Sequence, residues 1–287
     1  RRAEKKLRIM NPVFWTFLHQ SADLVSKLDE SLTIYHCVDD WPALLPIAKM
    51  GRSYRIKEDE KKLISYVDIV FKVSVKLLDN LKTSKTKIFE IPNGVDIDLF
   101  DPKRYSNESQ KYDLKDLPRP IIGFSGSIGK WIDIELIIHI AKCYKNASIV
   151  LIGLNEKNPN ISELQNFNNI YFLGMKSREE VPQYIYEFDV CLMPFKRTEI
   201  GEGLLPLKMF EYLALGKPVV ATSSKVLKQF KNVLHLADDM NAFLEEIENA
   251  ITNSGKIKSD FRRMCAIKYS WKNRMTEYET AISDVLQ

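Results

Sequence analysis

The sequence has few of the residues that build metal sites, disulfide frameworks or membrane spans. Its 287 residues include only four cysteines and four histidines, and no two cysteines form a Cys-x-x-Cys pair. This spacing argues against a zinc site and a disulfide framework, and it favours a reducing compartment. No apolar stretch reaches the roughly 18–20 residues that cross a bilayer. We therefore expect a cytoplasmic protein that needs no metal.

Net charge is also small. The chain has 42 Lys and Arg against 38 Asp and Glu, a net charge of +4, and 45% of its residues are hydrophobic. Such a balance gives no concentrated basic field of the kind that duplex nucleic acid requires, so nucleic acid is not an expected partner. The composition is that of a globular protein, and the length permits two domains of about 100–150 residues each.

Short apolar runs alternate with helical patterns, which predicts doubly wound parallel α/β sheets. In the first third, we expect a helix over Ala22–Leu28 with Ser21 as its N-cap, and a further helix over Val75–Leu81. The expected strands there are Val13–Phe17, Leu32–His36, Ile69–Val73 and Lys87–Ile91. Four strands without a glycine-rich first turn are few for a Rossmann-like unit, so the sequence predicts an incomplete N-terminal domain.

The predicted domains are separated by a polar stretch that contains several prolines. We expect an N-terminal domain over residues 1–105, a linker over 106–118, and a complete second domain over 119–270. A last helix over 271–287 is expected to return to the first domain. In the second domain, Ile134, Ile137 and Ile138 lie on one helical face, as expected for a helix packed on a sheet.

A glycine-containing turn follows the first strand of the second domain. Ile121–Ser125 is apolar, and Gly126, Ser127, Gly129 and Lys130 come next. Glycine lets a backbone approach a ligand closely, and the free N–H groups of a following helix bind anions. Ser125 and these four residues are candidate phosphate ligands. An ordinary tight turn is the alternative.

A second candidate is the helix that begins after Pro206 and ends near Gly216. Lys208 and Glu211 are i, i+3 neighbours close to its electropositive N-terminus. The lysine could neutralise a phosphate and the carboxylate could accept from ribose hydroxyl groups. A solvated Lys–Glu pair is the alternative interpretation.

Four segments of the chain together resemble the GT-B glycosyltransferases of the group 1 class (carbohydrate-active family four), especially their teichuronic acid biosynthesis branch. Pro92-Asn93-Gly94-Val95-Asp96 resembles the family's signature at the end of its N-terminal domain. Glu211-Tyr212-Leu213-Ala214 with Gly216-Lys217-Pro218-Val219-Val220 resembles its nucleotide-binding helix and the next strand. Tyr35-His36-Cys37-Val38-Asp39-Asp40-Trp41 resembles a strand and loop that face the cleft in this branch, and Ser270-Trp271 resembles the start of the closing helix.

The chain departs from the family at two places. The family's Glu-x7-Glu pair lacks its first acid, because eight residues before Glu211 stands Gly203. Glu202 or Glu199 could substitute, or Lys208 could replace the usual contact. The family's Arg and Lys in the first loop of the second domain fall on Ser127 and Ile132, and Lys130 is the nearest base.

The resemblance implies a GT-B fold and the transfer of a sugar from a nucleoside diphosphate to a polysaccharide or lipid-linked acceptor, with retention of configuration. The implied catalytic residues are Lys208, Glu202, Asp39 and Asp40, although aspartates at a strand end also serve as caps or turn residues. No metal is implied. We also expect peripheral membrane contact through the first domain. A sugar-nucleotide epimerase on the same fold and a non-catalytic binding or scaffold protein are the alternatives.

Overall fold

Two compact units make up the chain in the computed structural model. It describes residues 10–39, 50–74, 77–78, 85–106, 112–156, 158–197, 205–252 and 259–286. Unit 1 comprises Arg1–Asn93 and Arg274–Gln287, and unit 2 comprises Gly94–Asn273. Among the described helices, none combines the length and the apolar character that a membrane span requires.

Unit 1 contains a parallel sheet of four strands in the order β1-β2-β3-β4. Its strands are β1 (Val13–Thr16), β2 (Leu32–Cys37), β3 (Ile69–Lys72) and β4 (Lys87–Glu90). All six residues of β2 are buried, as expected for a strand covered on both faces.

Unit 2 contains a parallel sheet of six strands in the order β10-β9-β8-β5-β6-β7. Its strands are β5 (Ile121–Ser125), β6 (Ser148–Ile152), β7 (Ile170–Gly174), β8 (Val190–Met193), β9 (Val219–Thr222) and β10 (His235–Ala237). Two apolar clusters, one on each face, cover this sheet. Two parallel α/β sheets are the architecture that the alternating pattern predicts.

The described α-helices connect or cover these strands. They are α1 (Met50–Ile64), α2 (Ile134–Cys143), α3 (Val181–Glu187), α4 (Leu207–Ala214), α5 (Met240–Thr252), α6 (Ser259–Lys268) and α7 (Trp271–Leu286). From Arg274 onward, α7 belongs to unit 1, where Tyr278 and Ala281 join the apolar cluster of Ile34 and Phe71.

The helix predicted over Ala22–Leu28 is wrong. A 3-10 helix over His19–Leu24 occupies this region instead. The Ser21 hydroxyl hydrogen-bonds the Thr16 hydroxyl at 2.9 Å and does not cap a helix. Ser26 has a φ of 62°, a backbone conformation that an α-helix cannot include. The helix predicted over Val75–Leu81 lies largely outside the described residues.

The two compact units begin and end at different residues from the predicted domains. Residues 94–118 all belong to unit 2, including the stretch predicted as a linker over 106–118. Phe100, Tyr105 and Leu114 are buried in the unit 2 core, and Val95 pairs with Ser270 in a parallel bridge. These few buried apolar residues hold the segment in the unit 2 core. Because the average composition of the segment is polar, composition alone does not predict this packing.

An aromatic cluster in unit 1 encloses His36. Its ring lies near the rings of Trp15, Phe17, Phe71 and Tyr278, at centroid distances of 5.0–6.1 Å. Its Nε2 and the Tyr278 hydroxyl oxygen are 3.2 Å apart, whereas its Nδ1 is buried with no partner among the described residues. Burial lowers the pKa of His36 to about 4.

We predict that His36 makes the chain less stable as the pH falls. Between its ordinary pKa of 6.5 and about 4, the unfolded chain binds a proton here and the folded chain does not. The free energy of unfolding should therefore fall by up to about 1.4 kcal/mol per pH unit in this window. Urea unfolding from pH 7 to pH 4 measures the slope, and His36→Phe should make it shallower. Tyr278→Phe is the control that should keep the slope, because burial rather than this hydroxyl lowers the pKa.

Candidate functional site

The strand order of unit 2 has a switch point between β5 and β8. From β5 the chain crosses to β6 on one side, and from β8 it crosses to β9 on the other. In open parallel sheets, ligands bind at the carboxyl ends of the two strands that flank such a point. The Gly-Ser loop follows β5, and α4 begins after the loop that follows β8. The topology therefore brings two predicted binding segments to one edge of one sheet.

Backbone hydrogen bonds fix the loop after β5. The Gly126 N–H donates to the Ile152 carbonyl at 2.8 Å, and the Ile128 N–H donates to the Leu154 carbonyl at 2.8 Å. The buried Asn158 side chain donates to the Gly129 carbonyl at 2.6 Å. The loop after β6 thus holds the candidate phosphate loop along much of its length.

Gly153 lets these two loops touch. It has a φ of +140°, and a Cβ placed on it would lie 2.0 Å from the Gly126 carbonyl oxygen. No side chain fits in that distance, so only glycine permits this approach. The backbone of Gly126 is consequently packed from the side of β6.

The sequence pattern predicts that this loop runs directly into a helix. In the structure, further residues separate the two. Helix α2 begins at Ile134, and the Asp133 side chain caps it by accepting from the Leu136 N–H at 3.0 Å. Lys130 is exposed and lies before this cap. Among the described residues, the N–H groups of Ser127 and Lys130 find no hydrogen-bond acceptor. These loop amides, rather than the N-terminus of α2, are the donors that an anion could meet.

Helix α4 presents Lys208 and Glu211 near its N-terminus. The Lys208 Nζ lies 2.8 Å from the Glu211 Oε2, and the two side chains are 32% and 13% exposed. Pro206 precedes the helix and offers no side-chain cap. Among the described residues, the N–H groups of Leu207 and Lys208 find no acceptor and can meet a ligand, whereas the Met209 N–H donates to the Pro206 carbonyl at 3.1 Å. At the other end, the Gly216 N–H bonds the Leu213 carbonyl and the Lys217 N–H bonds the Tyr212 carbonyl, at 2.9 and 3.0 Å. This is a Schellman motif, which ends the helix.

Tyr212 joins this helix to the end of β5. The Ser125 N–H donates to its hydroxyl oxygen at 2.8 Å, and the hydroxyl donates to the Ser125 carbonyl at 3.2 Å. Burial raises the pKa of Tyr212 well above its ordinary value, so the hydroxyl keeps its proton. Lys208 is one turn earlier on the same face, and helical side chains lean toward the N-terminus. Lys208 therefore lies one turn toward the N-terminus of α4 from the residue that contacts the Ser125 backbone.

The other predicted catalytic residues are Asp39, Asp40 and Glu202. Asp39 follows β2 in unit 1 and is exposed, and its carbonyl accepts a hydrogen bond from the Cys37 thiol with the sulfur 3.6 Å away. Asp40 and Glu202 are outside the described residues. The structure thus joins two candidate segments of unit 2: α4, which carries Lys208 and Glu211, contacts the end of β5 through Tyr212 and Ser125, where the candidate loop begins.

Sequence reasoning missed three residues that shape the site: Tyr212, Gly153 and Asn158. Tyr212 had a usable signal, since it stands at i+4 from Lys208 and shares its helical face. The roles of Gly153 and Asn158 depend on contacts between separate loops, and no local pattern marks them.

An open cavity of about 330 Å³ lies at the opposite edge of this sheet. Its lining includes Arg119 and Pro120, which precede β5, and Asp189, which precedes β8. The Arg119 guanidinium is already paired with Glu187 and Asp189, each at 2.9 Å. This cavity is therefore not at the ligand-binding edge, and its one cation is neutralised.

Within the described parts of the chain, no three His, Cys, Asp or Glu side chains come together as a metal site would require. The positive charge available at the carboxyl edge of unit 2 comes instead from Lys208, Lys130 and the N-terminus of α4. A dianionic or trianionic ligand matches these donors.

Comparison with known proteins gives the predicted fold, and the matching family model falls within unit 2. Residues 119–253 match the family model for glycosyl transferases group 1. A Bacillus subtilis (strain 168) protein, named as a teichuronic acid biosynthesis glycosyltransferase, TuaH, is 26% identical over 260 residues, which cover 83% of this chain. The match spans 63% of that relative's length.

Solved structures of GT-B enzymes share the fold. Anabaena Alr3699/HepE in complex with UDP-glucose is 18% identical, with a TM-score of 0.71 over 95% of this chain and 78% of its own. Sucrose-phosphate synthase from Thermosynechococcus elongatus is 17% identical, with a TM-score of 0.72 over 99% of this chain and 75% of its own. These likenesses confirm the predicted GT-B fold.

We predict that Tyr212→Phe destabilises unit 2. The change leaves the Ser125 N–H and carbonyl without their partner in a buried position, which costs about 1–3 kcal/mol of unfolding free energy. Urea unfolding measures the loss. Tyr66→Phe is the matched control, because Tyr66 is 57% exposed and its loss of a hydroxyl should change nothing measurable. Equal stability of the two variants would show that the hydroxyl does not hold α4 to β5.

Proposed function

We propose that this chain, whose residues 119–253 belong to the group 1 glycosyl transferases, transfers a sugar from a nucleoside-diphosphate sugar to an acceptor hydroxyl. The observation that supports the proposal is the contact of α4, the helix that carries Lys208 and Glu211, with the Ser125 backbone at the switch point of the unit 2 sheet. Positive charge, free amides and a carboxylate at one edge suit a ligand with both phosphate and ribose groups.

Lys208 would bind the diphosphate. Its ammonium group has three donors, so it can keep its bond to Glu211 and donate to a phosphate oxygen as well. The N-terminus of α4 adds partial positive charge, and the amides of Ser127 and Lys130 add further donors. We place Ser125, Gly126, Ser127, Gly129 and Lys130 in this phosphate site.

Glu211 would bind the ribose. Its Oε2 accepts from Lys208, and Oε1 remains able to accept from a sugar hydroxyl. The side chain is only 13% exposed, so a bond formed there is well shielded from water. The Lys208–Glu211 pair orients both side chains before a ligand arrives, which reduces the entropy cost of binding.

The proposed reaction breaks the bond between the anomeric carbon and the diphosphate oxygen and forms a bond from that carbon to the acceptor oxygen, and the proton of the acceptor hydroxyl passes to the leaving diphosphate. Negative charge grows on the leaving diphosphate, so Lys208 and the end of α4 stabilise the transition state more than the ground state. We propose retention of configuration, with Glu202, Asp39 and Asp40 as candidate contacts to the sugar or the acceptor hydroxyl. The names of the relatives support a sugar nucleotide as donor and a cell-envelope polysaccharide or lipid-linked precursor as acceptor.

We predict that the two α4 residues separate diphosphate from nucleoside binding. Lys208→Ala should weaken UDP binding by roughly tenfold to a hundredfold and leave uridine binding nearly unchanged, since it removes one charge-assisted hydrogen bond of about 1.5–3 kcal/mol. Glu211→Ala should weaken both ligands. Calorimetry on the full chain measures this, after a thermal-shift screen of UDP, GDP, ADP and TDP has identified the base.

The control for this experiment is Lys231→Ala, which removes an exposed lysine from the same unit. It should bind every nucleotide as the parent does. If Lys208→Ala and Glu211→Ala also bind like the parent, the site is wrong. Release of an isomerised sugar nucleotide without any acceptor would favour the epimerase over the transferase.

We further predict that nucleotide binding needs no metal ion. Lys208 and the end of α4 supply the positive charge that a cation would otherwise bring to the diphosphate. The dissociation constant for UDP should therefore be the same in EDTA as in Mg²⁺. A loss of binding in EDTA that Mg²⁺ restores would contradict this.

A further inference from the structure

Helix α6 exposes an apolar stripe to solvent. Phe261, Met264 and Ile267 are 51%, 60% and 42% exposed. They stand three residues apart, so they share one side of the helix. The buried side carries Arg262 and Ala266. This arrangement reverses the usual pattern, in which the exposed face of a surface helix is polar.

A further large exposed side chain follows the end of the helix. Trp271, at the start of α7, is 38% exposed, and Lys268 and Lys272 are exposed on either side of it. Within α6, the only acidic residue is Asp260, in the first turn, and the first turn of α7 has none. The surface therefore combines large apolar side chains with net positive charge. We call it the α6 patch, and its members are Phe261, Met264, Ile267, Lys268, Trp271 and Lys272.

We infer that the α6 patch binds the surface of an anionic lipid bilayer. Apolar side chains of this size enter the boundary between headgroups and acyl chains, and flanking lysines are attracted to anionic headgroups. Tryptophan is enriched at that depth because its ring is apolar and its N–H is polar. The patch thus offers apolar side chains for the boundary between headgroups and acyl chains, and basic side chains for the anionic headgroups themselves.

A second copy of the chain fits the patch less well. In a two-fold dimer the same patch faces itself, which would bring Lys268 and Lys272 of each copy close to those of the other. Like charges at such a contact oppose association. An anionic bilayer has the complementary charge.

The inference goes beyond the proposed function and uses none of its residues. It also differs from the membrane contact expected from the sequence, which lay in the first domain. The α6 patch lies wholly in unit 2. Nucleotide binding and bilayer binding can therefore fail independently.

Co-sedimentation of the full chain with vesicles tests the inference. One set of vesicles contains equal parts of phosphatidylglycerol and phosphatidylcholine, and the other contains phosphatidylcholine alone. The parent should sediment with the anionic vesicles at low salt and much less with the neutral ones. F261E/M264E should reduce the bound fraction roughly tenfold or more. K268Q/K272Q should reduce it severalfold and weaken its dependence on salt.

The matched control is L18E/L24E, which replaces two exposed leucines of unit 1, 60% and 54% exposed, by glutamate. It should bind like the parent. The melting temperature of each variant shows whether it folds, and the milder F261A/M264A replaces F261E/M264E if the latter melts early.

Three results would overturn the inference. The parent stays in the supernatant with anionic vesicles at low salt, F261E/M264E or F261A/M264A binds as well as the parent, or L18E/L24E abolishes binding while the α6 variants do not. A parent dimer that F261E/M264E converts to a monomer, with no vesicle binding by either, would assign the patch to a second copy.

Discussion

The two hydrogen bonds between the Tyr212 hydroxyl and the Ser125 backbone hold the candidate site together. They join the carboxyl end of β5 to the middle of α4, two segments that are 87 residues apart in the chain. Both partners are buried, so water cannot replace a lost bond and the geometry is well defined. This contact therefore joins the two candidate binding segments, the loop after β5 and helix α4.

The two ends of α4 differ in their hydrogen-bond partners. Its C-terminal carbonyls are occupied, because the Arg263 guanidinium donates to Ala214 at 2.8 Å and the Arg262 side chain donates to Gly216 at 2.8 Å. Cations at this end also complement the helix dipole. At the N-terminal end are Lys208, Glu211 and the N–H groups of Leu207 and Lys208, which find no acceptor in the part of the chain that the structure describes. The helix is thus held firmly at one end and offers charge at the other, which is how a preorganised anion site is built.

Local pattern was sufficient to predict the parallel α/β architecture. Central strands such as Ile69–Lys72 are short apolar runs with buried residues on both faces, and that signal does not depend on distant residues. The Lys208–Glu211 pair was predictable for the same reason, because an i, i+3 spacing is a property of the helix alone. The helix over Ala22–Leu28 was not, since the positive φ of Ser26 and the Thr16–Ser21 bond override its propensity.

What the sequence could not predict involves contacts between distant segments. The closeness of Gly153 to the Gly126 carbonyl, and the anchoring of residues 94–118 in unit 2, depend on which loops the sheet brings together. The chain lacks the first acid of the family's Glu-x7-Glu pair, and Lys208 provides a different contact to the second acid, Glu211. Glu211 is already paired by Lys208, so a lysine one turn away orients the remaining carboxylate. This contact can hold Glu211 in place without a second acid.

Helix α6 connects the site to the opposite surface of unit 2. Arg262, on its buried face, and Arg263, which is partly buried, bond the C-terminal end of α4, and Arg263 also bonds the Phe100 carbonyl. Its other face carries the apolar stripe of the α6 patch. A helix that cannot expose its arginines without releasing α4 has one orientation only, so the stripe must face outward. The packing that holds the nucleotide helix therefore also determines which surface of unit 2 is apolar.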